Sequence, residues 1–345
     1  MKSSLQSKRT PWWSLAKIET FLFRFWARRS FFSDLLLPLS WVYGCIQSRF
    51  ATNSQAQRIK VDIPVIAVGN LTVGGTGKTP FCIWLGLALK AQGSRPAYVV
   101  RAFKARATAP TQVLQDSSPS DVGDEAMLLW QRTSLPVFSG RYKWQAAQMA
   151  AREPVDVLIV DDGLQHYRLH HDVAILLVDG EYGFGNGRLL PAGPLREPIQ
   201  KVDVDIKVLV GSNTGSNFTM QVKPAFFYRL HEPQQRKSLD SFKEEKILAV
   251  AGIARPERFF KTLANLGLQF EKMAFPDHHT FRPKDLLFDG IVMMTEKDAV
   301  KCRDFGLKNI WVLAIDAEVK ENLISVILER LHGPKTSGPT RLPHL

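Results

Sequence analysis

Val65-Ile66-Ala67-Val68-Gly69-Asn70-Leu71-Thr72-Val73-Gly74-Gly75-Thr76-Gly77-Lys78-Thr79-Pro80 carries an apolar, β-branched run into a glycine-rich turn and then into Gly77-Lys78-Thr79. Apolar residues from Phe81 to Leu89 continue at helical spacing until Gly93. The spacing predicts a strand, a phosphate-binding loop and a helix. Glycines let backbone N–H groups turn inward, and the helix N-terminus adds partial positive charge where a polyphosphate would lie. Lys78 is then the cation for the β and γ phosphates, Thr79 the Mg²⁺ ligand, and Gly74, Gly75, Thr76 and Gly77 the backbone cradle.

The usual loop has glycine where this chain has Thr72. The doubled glycines resemble those of membrane-targeting and partitioning ATPases, which carry lysine in place of Val73. Further along, Val155-Asp156-Val157-Leu158-Ile159-Val160 runs into Asp161-Asp162-Gly163. An apolar strand delivering carboxylates at its C-terminal end suits a Mg²⁺ site, and ligands of parallel sheets bind at that edge. Either Asp161 or Asp162 serves as metal ligand on this reading. Between the two motifs, Arg95–Val100 reads as a strand, Ala107–Val122 as a polar loop, and Asp124-Glu125 as the opening of a helix, where acids complement the dipole. Pro136–Gly140, Asp172–Asp179 and Val202–Val210 read as further strands. Gly183–Pro198 is a long glycine- and proline-bearing segment of the kind that is usually functional or disordered.

A second α/β block follows: strand Ile247–Ala251, helix Pro256–Leu266, loop Phe275–Thr280, helix Pro283–Leu287, strands Gly290–Met294 and Trp311–Ile315, and helix Glu321–Leu331. The expected organisation is α/β, a P-loop NTPase-like parallel-sheet core over 55–225 and a smaller α/β domain over 226–333. Residues 1–54 form a membrane-associating helical segment and 334–345 a disordered tail.

The charge distribution supports the first segment. Net charge is +12, and residues 1–60 hold ten Lys and Arg against only Glu19 and Asp34. The cations alternate with Trp12, Trp13, Phe21, Phe23, Phe25, Trp26, Phe31, Phe32 and Trp41. The apolar run Leu35–Ile46 contains Pro38 and is too short for a ~30 Å hydrocarbon core needing ~20 residues. A segment lying in the interface of an anionic bilayer fits better, at about 1 kcal/mol per Lys or Arg. The rival is an amphipathic helix packed on the protein's own core. So much apolar bulk argues against nucleic acid as a partner. Cys45, Cys82 and Cys302 are scattered and odd in number, which indicates neither a disulfide framework nor a zinc site.

Taken together, Gly69–Pro80, Gly123-Asp124-Glu125, Asp161-Asp162-Gly163-Leu164-Gln165-His166, Leu190–Glu197, Phe275-Pro276-Asp277-His278-His279 and Thr295-Glu296-Lys297-Asp298 resemble tetraacyldisaccharide 4′-kinase, the lipid A kinase of Gram-negative bacteria. The resemblance spans roughly residues 10–330, and that family carries the same deviant loop. It implies phosphoryl transfer from ATP, with Mg²⁺, to a membrane-embedded acylated glucosamine disaccharide at the cytoplasmic face of the inner membrane, without an obligate protein partner. It further implies Asp124 as the base that takes the sugar hydroxyl's proton, assisted by a histidine, His278 in preference to His279. His166, Arg141, Arg196 and Glu197 become positioners of nucleotide or sugar. The family's Arg-Gly-Tyr-Gly after the second strand is here Arg101-Ala102-Phe103-Lys104, so no tyrosine hydroxyl is carried over at Phe103.

Two other readings predict different behaviour. A membrane-associated switch ATPase or GTPase would hydrolyse nucleotide without a glycolipid, although Thr295–Asp298 is out of register with the guanine-reading pattern. A soluble small-molecule kinase would stay in solution without detergent.

Overall fold

A computed structural model describes residues 22–102, 109–211, 218–320 and 322–333. The residues before 22, among them Trp12, Trp13 and Phe21, lie outside the described residues, as do Phe103, Lys104 and the tail 334–345. Residues 25–225 and those from 315 onward form one compact unit; 226–314 with 22–24 form another.

In the first unit the strands are β1 (Val65–Gly69), β2 (Pro96–Arg101), β3 (Thr111–Gln112), β4 (Val137–Gly140), β5 (Val157–Asp161), β6 (Val173–Asp179), β7 (Ile206–Val210) and the start of β8 (Phe218–Arg229). They lie in the order β8-β7-β6-β1-β5-β2-β4-β3 and are parallel except for β3. Central strands β1, β5 and β6 are buried along their whole length, which requires cover on both faces and explains their unbroken apolar sequence. β1 lies between β5 and β6 with Val68 opposite Asp161, so the loop after β1 and the carboxylates ending β5 emerge side by side at one edge.

The helices of this unit are α1 (Phe31–Leu35), α2 (Leu37–Ala56), α3 (Lys78–Ala91), α4 (Pro119–Val122), α5 (Asp124–Thr133) and α6 (Lys143–Ala150). α3 starts at the loop lysine itself, because Gly77 takes φ +80 and leads straight into the first turn. It packs so closely on β2 that a Cβ on Gly86 would lie 2.0 Å from the Tyr98 hydroxyl, which donates to the Cys82 carbonyl at 3.0 Å. The stretch expected as loop from 107 contains β3 and α4, and β7 starts four residues later than expected, after a short 3-10 turn at Ile199–Lys201.

α2 runs twenty residues, with Pro38 in its first turn, where a missing N–H costs nothing. Its inward face is polar. Ser40 Oγ donates to the Leu189 carbonyl (2.9 Å) and accepts from Ala192 N–H (3.0 Å), Tyr43 OH donates to the Arg196 carbonyl (2.9 Å), and Gln47 Nε2 donates to Tyr167 OH (3.0 Å). The outward face carries Leu35 from the preceding turn and then Leu39, Val42, Ile46 and Phe50, all exposed, beside Trp41 at 83% exposure. That is the reverse of an amphipathic helix packed on the protein's own core. No helix among the described residues is long and apolar enough to cross a membrane.

In the second unit β10 (Ile247–Ala251), β11 (Phe270–Ala274), β12 (Ile291–Thr295) and β13 (Ile310–Val319) lie in the order β11-β10-β12-β13, all parallel, while β9 (Glu232–Lys237) pairs antiparallel with the end of β8. Leu248 and Val250, Val292 and Met294, and Ile310 and Val312 point to one face and pack with Phe275, Phe281 and Leu286. α7 (Pro256–Asn265) buries Phe259, Phe260 and Leu263, and α8 (Glu296–Ala299) follows β12. β9 and β11 have no counterpart in the expected elements. The last helix, α9 (Leu323–His332), belongs to the first unit and packs there against α3 and β6.

Candidate active site

The loop after β1 is built around a residue that motif reasoning passed over. Asn70 is fully buried; its Nδ2 donates to the Thr72 carbonyl at 2.8 Å, and its Oδ1 accepts from Lys78 Nζ at 2.8 Å. Thr72 forms a bridge with Leu195, and Val73 N–H donates to the Pro194 carbonyl at 2.9 Å. Thr72 is thus paired in extended backbone, where a β-branched residue is favoured and glycine's freedom is not needed. Left-handed backbone begins only at Gly74 (φ +109) and returns at Gly77. A Cβ on Gly75 would meet nothing within 4 Å, and the buried Thr76 Oγ1 has no hydrogen-bond partner. An open cradle with an orphaned hydroxyl beside a lysine fits a bound polyphosphate.

The carboxylates stand beside it. Lys78 Nζ is 3.3 Å from Asp162 Oδ1, and Arg196 Nη1 donates to both Asp162 oxygens at 3.3 and 3.0 Å. Burial would raise the Asp162 carboxyl, but Lys78, Arg196 and Lys143 outweigh it and hold the group well below the usual carboxylate range. Asp161 is more deeply buried, and burial followed by the nearby Glu125 pushes it up to about 6. Two neighbouring acids therefore have opposite tendencies at one strand end: Asp162 is a committed anion held by cations, and Asp161 holds its proton more readily. Cys82 Sγ lies 3.8 Å from Asp161 Oδ1, and burial pushes its thiol well up, so it stays protonated.

Lys143, the first residue of α6, gave no sequence signal. It is 3% exposed, and its Nζ donates to the carbonyls of Asp161 (2.5 Å) and Asp162 (2.7 Å), fixing a turn in which Asp162 adopts φ +51. Burial lowers its pKa, while Asp162, Asp161 and Glu125 favour its charged form.

The segment after the carboxylates closes the site from another side. Gln165 Nε2 donates to the Asn70 carbonyl (2.9 Å) and to Glu197 Oε1 (2.8 Å); Tyr167 OH donates to the other oxygen of Glu197. Glu197 is 1% exposed, burial raises its pKa, and it holds Gln165 and Tyr167 through its two oxygens. His166 is half-buried, its Nε2 has no hydrogen-bond partner, and burial with nearby Lys143 and Arg101 lowers it to about 3, which keeps the ring neutral. Arg141 is exposed and rests over the Tyr142 ring. Asp124 is half-buried as the first residue of α5, after Gly123 at φ +94 as N-cap.

In the second unit the Phe275–Phe281 turn separates its two histidines. The His279 ring stacks on Phe275 (4.4 Å, 19°) and meets Phe281 edge-on (4.9 Å), and burial lowers its pKa. His278 stands at φ +58 with its N–H on Asp277 Oδ1 at 2.9 Å.

The profile of the tetraacyldisaccharide-1-P 4′-kinase family matches residues 32–332. The chain belongs to this family. Among tetraacyldisaccharide 4′-kinases, that of Methylobacillus flagellatus is 43% identical over 317 residues, covering 89% of this chain and 95% of the relative. That of Dechloromonas aromatica is 40% identical, with 89% and 98% covered. A crystal structure described as LpxK from Aquifex aeolicus in complex with ATP superposes with TM-score 0.72 at 28% identity, covering 87% of this chain and all of that one. Within the tetraacyldisaccharide-1-P 4′-kinase fold, the phosphate loop, Lys78, Thr79, Asp161, Asp162, Arg196 and Glu197 belong to the first unit, and His278 and His279 to the second.

Proposed function

We propose that this chain transfers the γ-phosphate of ATP to the 4′-hydroxyl of a tetraacylated glucosamine disaccharide 1-phosphate. The observation carrying this reading is the adjacency of the open Gly74–Thr79 loop and the Lys78–Asp162–Arg196 cluster at the ends of β1 and β5, in a chain of this kinase family. Lys78 and the loop amides hold the β and γ phosphates. Thr79 with Asp161 or Asp162 would hold Mg²⁺, whose charge would offset that of the phosphates. Asp124 removes the proton of the attacking hydroxyl, and His278 assists it. Little covalent chemistry falls to the protein in such a transfer, so positioning and charge dominate. Arg196 reaches the nucleotide side through Asp162, and His166 and Arg141 position substrate. The test is transfer of labelled phosphate to the micellar disaccharide. Incorporation should require both ATP and glycolipid and be lost in Lys78→Ala. Rapid ATP hydrolysis without glycolipid, and no labelled lipid, would instead make the protein a switch.

The same reading places the enzyme on the cytoplasmic surface of the inner membrane through the outward face of α1 and α2. A four-chain lipid does not leave the bilayer cheaply, at ~0.8 kcal/mol per buried CH₂, so the catalyst comes to it. Exposed Phe31, Phe32, Leu39, Val42, Ile46 and Phe50 stand beside exposed Arg28, Arg29 and Arg49, a pairing suited to an anionic bilayer. The double variant Val42→Glu/Ile46→Glu should fold normally, since both side chains face outward. At about 1.5–3 kcal/mol for each buried aliphatic side chain, its partition onto anionic vesicles should fall tenfold or more. Unchanged co-sedimentation would remove the lipid-facing role.

A further inference from the structure

Thr295-Glu296-Lys297-Asp298 belongs to the family resemblance, yet the transfer chemistry leaves it without a task. It ends β12 and opens α8, with Thr295 as the N-cap. Asp298 is fully buried. Its Oδ2 accepts from Thr295 Oγ1 and from Gly252 N–H, both at 2.8 Å, and its Oδ1 accepts from Lys301 Nζ at 2.7 Å. A Cβ on Gly252 would meet Asp298 Oδ1 at 3.1 Å, the Phe281 ring at 3.2 Å and His279 Cβ at 3.4 Å. The turn carrying the histidines therefore lies directly on the junction that Asp298 ties together. The Lys301 ammonium, held by Asp298, also covers the Phe281 ring at 5.0 Å.

The third residue of the string reaches the same turn from the side. Lys297 Nζ is 3.9 Å from Asp277 Oδ1, the oxygen that accepts from His278 N–H; Asp277 Oδ2 is 3.9 Å from His278 Nε2. A non-glycine residue in left-handed backbone costs about 1–2 kcal/mol and persists where its surroundings over-determine it. Here the surroundings are Asp277 at the residue itself and the Asp298 junction beneath the turn. We infer that Thr295–Asp298 is the positioning device for His278, with Asp298 fixing the base of the turn and Lys297 steering Asp277 against backbone and ring. This rests on the reading of His278 as the assisting histidine.

The test is a mutant cycle in the full-length enzyme with ATP and micellar acylated disaccharide. Lys297→Met should lower kcat about tenfold, with KM for both substrates within twofold, and Lys297→Arg should restore most of the loss. In a His278→Ala background, Lys297→Met should cost nothing further. An equal loss in that background, or no loss in the single variant, overturns the inference while leaving His278 in place. Full activity of His278→Ala alone would overturn the reading of His278 and this inference with it. If Lys297→Met unfolds, judged by its thermal midpoint, Asp277→Asn breaks the same link and is held to the same outcomes.

Discussion

Asp124→Asn should lower kcat by about 10²- to 10⁴-fold, the usual contribution of a positioned general base. Asparagine keeps the size and the hydrogen-bonding reach of the side chain but cannot take up a proton. The same variant separates catalysis from a purely helical role. Asp124 opens α5 directly after Gly123, the N-cap. A carboxylate there contributes only about 0.3–1 kcal/mol through the helix dipole. Loss of that interaction would lower the thermal midpoint slightly and leave turnover within a few-fold. Initial rates of phosphate transfer, taken with KM for ATP and a melting curve, distinguish the two. A large fall in kcat with KM and stability nearly unchanged supports the base; a rate within a few-fold of the parent removes Asp124 from the chemistry.

Lys143→Met should strongly destabilise the first unit. Two carbonyls at the end of β5 lose their donor, and Asp161, Asp162 and Glu125 lose a buried counter-charge. Breaking one partner out of such an arrangement costs about 3–5 kcal/mol. For a unit of this size each kcal/mol moves the midpoint by roughly 2–4 °C, so a fall of about 6–20 °C is expected in scanning calorimetry. Activity should fall as well, because the left-handed turn at Asp162 is held by this ammonium and the Asp162 carboxylate is what pairs with Lys78 and Arg196. Lys143→Arg should not rescue, since a planar guanidinium needs more room than an ammonium has in a site 3% exposed. A midpoint within 2 °C of the parent would show that the two carbonyls find another donor.

What the sequence made legible follows burial. β1, β5, β6 and β10 are covered on both faces, so their strings are continuously apolar; β1 ends in glycine, β5 and β6 end in aspartate and Gly252 follows β10, which marks each strand's end. β9 is exposed throughout and reads Glu-Pro-Gln-Gln-Arg-Lys, and β11 is a half-exposed edge strand; neither has a pattern that separates it from loop. The phosphate loop and the carboxylate pair were readable because each is local. Asn70 stood inside the quoted stretch, but its value lies in amide contacts that only the folded loop reveals. Lys143, 18 residues from Asp161, and the Gln165–Glu197–Tyr167 group, about 30 residues apart in the chain, are products of topology, and no local periodicity records them. Glu197, expected as a positioner of nucleotide or sugar, also accepts from Gln165 and Tyr167, contacts that only the fold brings together.

The inward bonds of α2 limit how this enzyme can be re-engineered. Ser40, Tyr43 and Gln47 are stitched to the segment that presents Arg196 and to the Tyr167–Glu197 pair. Trimming the N-terminus away through this helix would therefore remove the hydrogen bonds that hold the Leu189–Arg196 segment and the Tyr167–Glu197 pair. Placing charge only on the outer stripe of that helix, at Leu39, Val42, Ile46 and Phe50, leaves those bonds untouched, because these side chains are exposed.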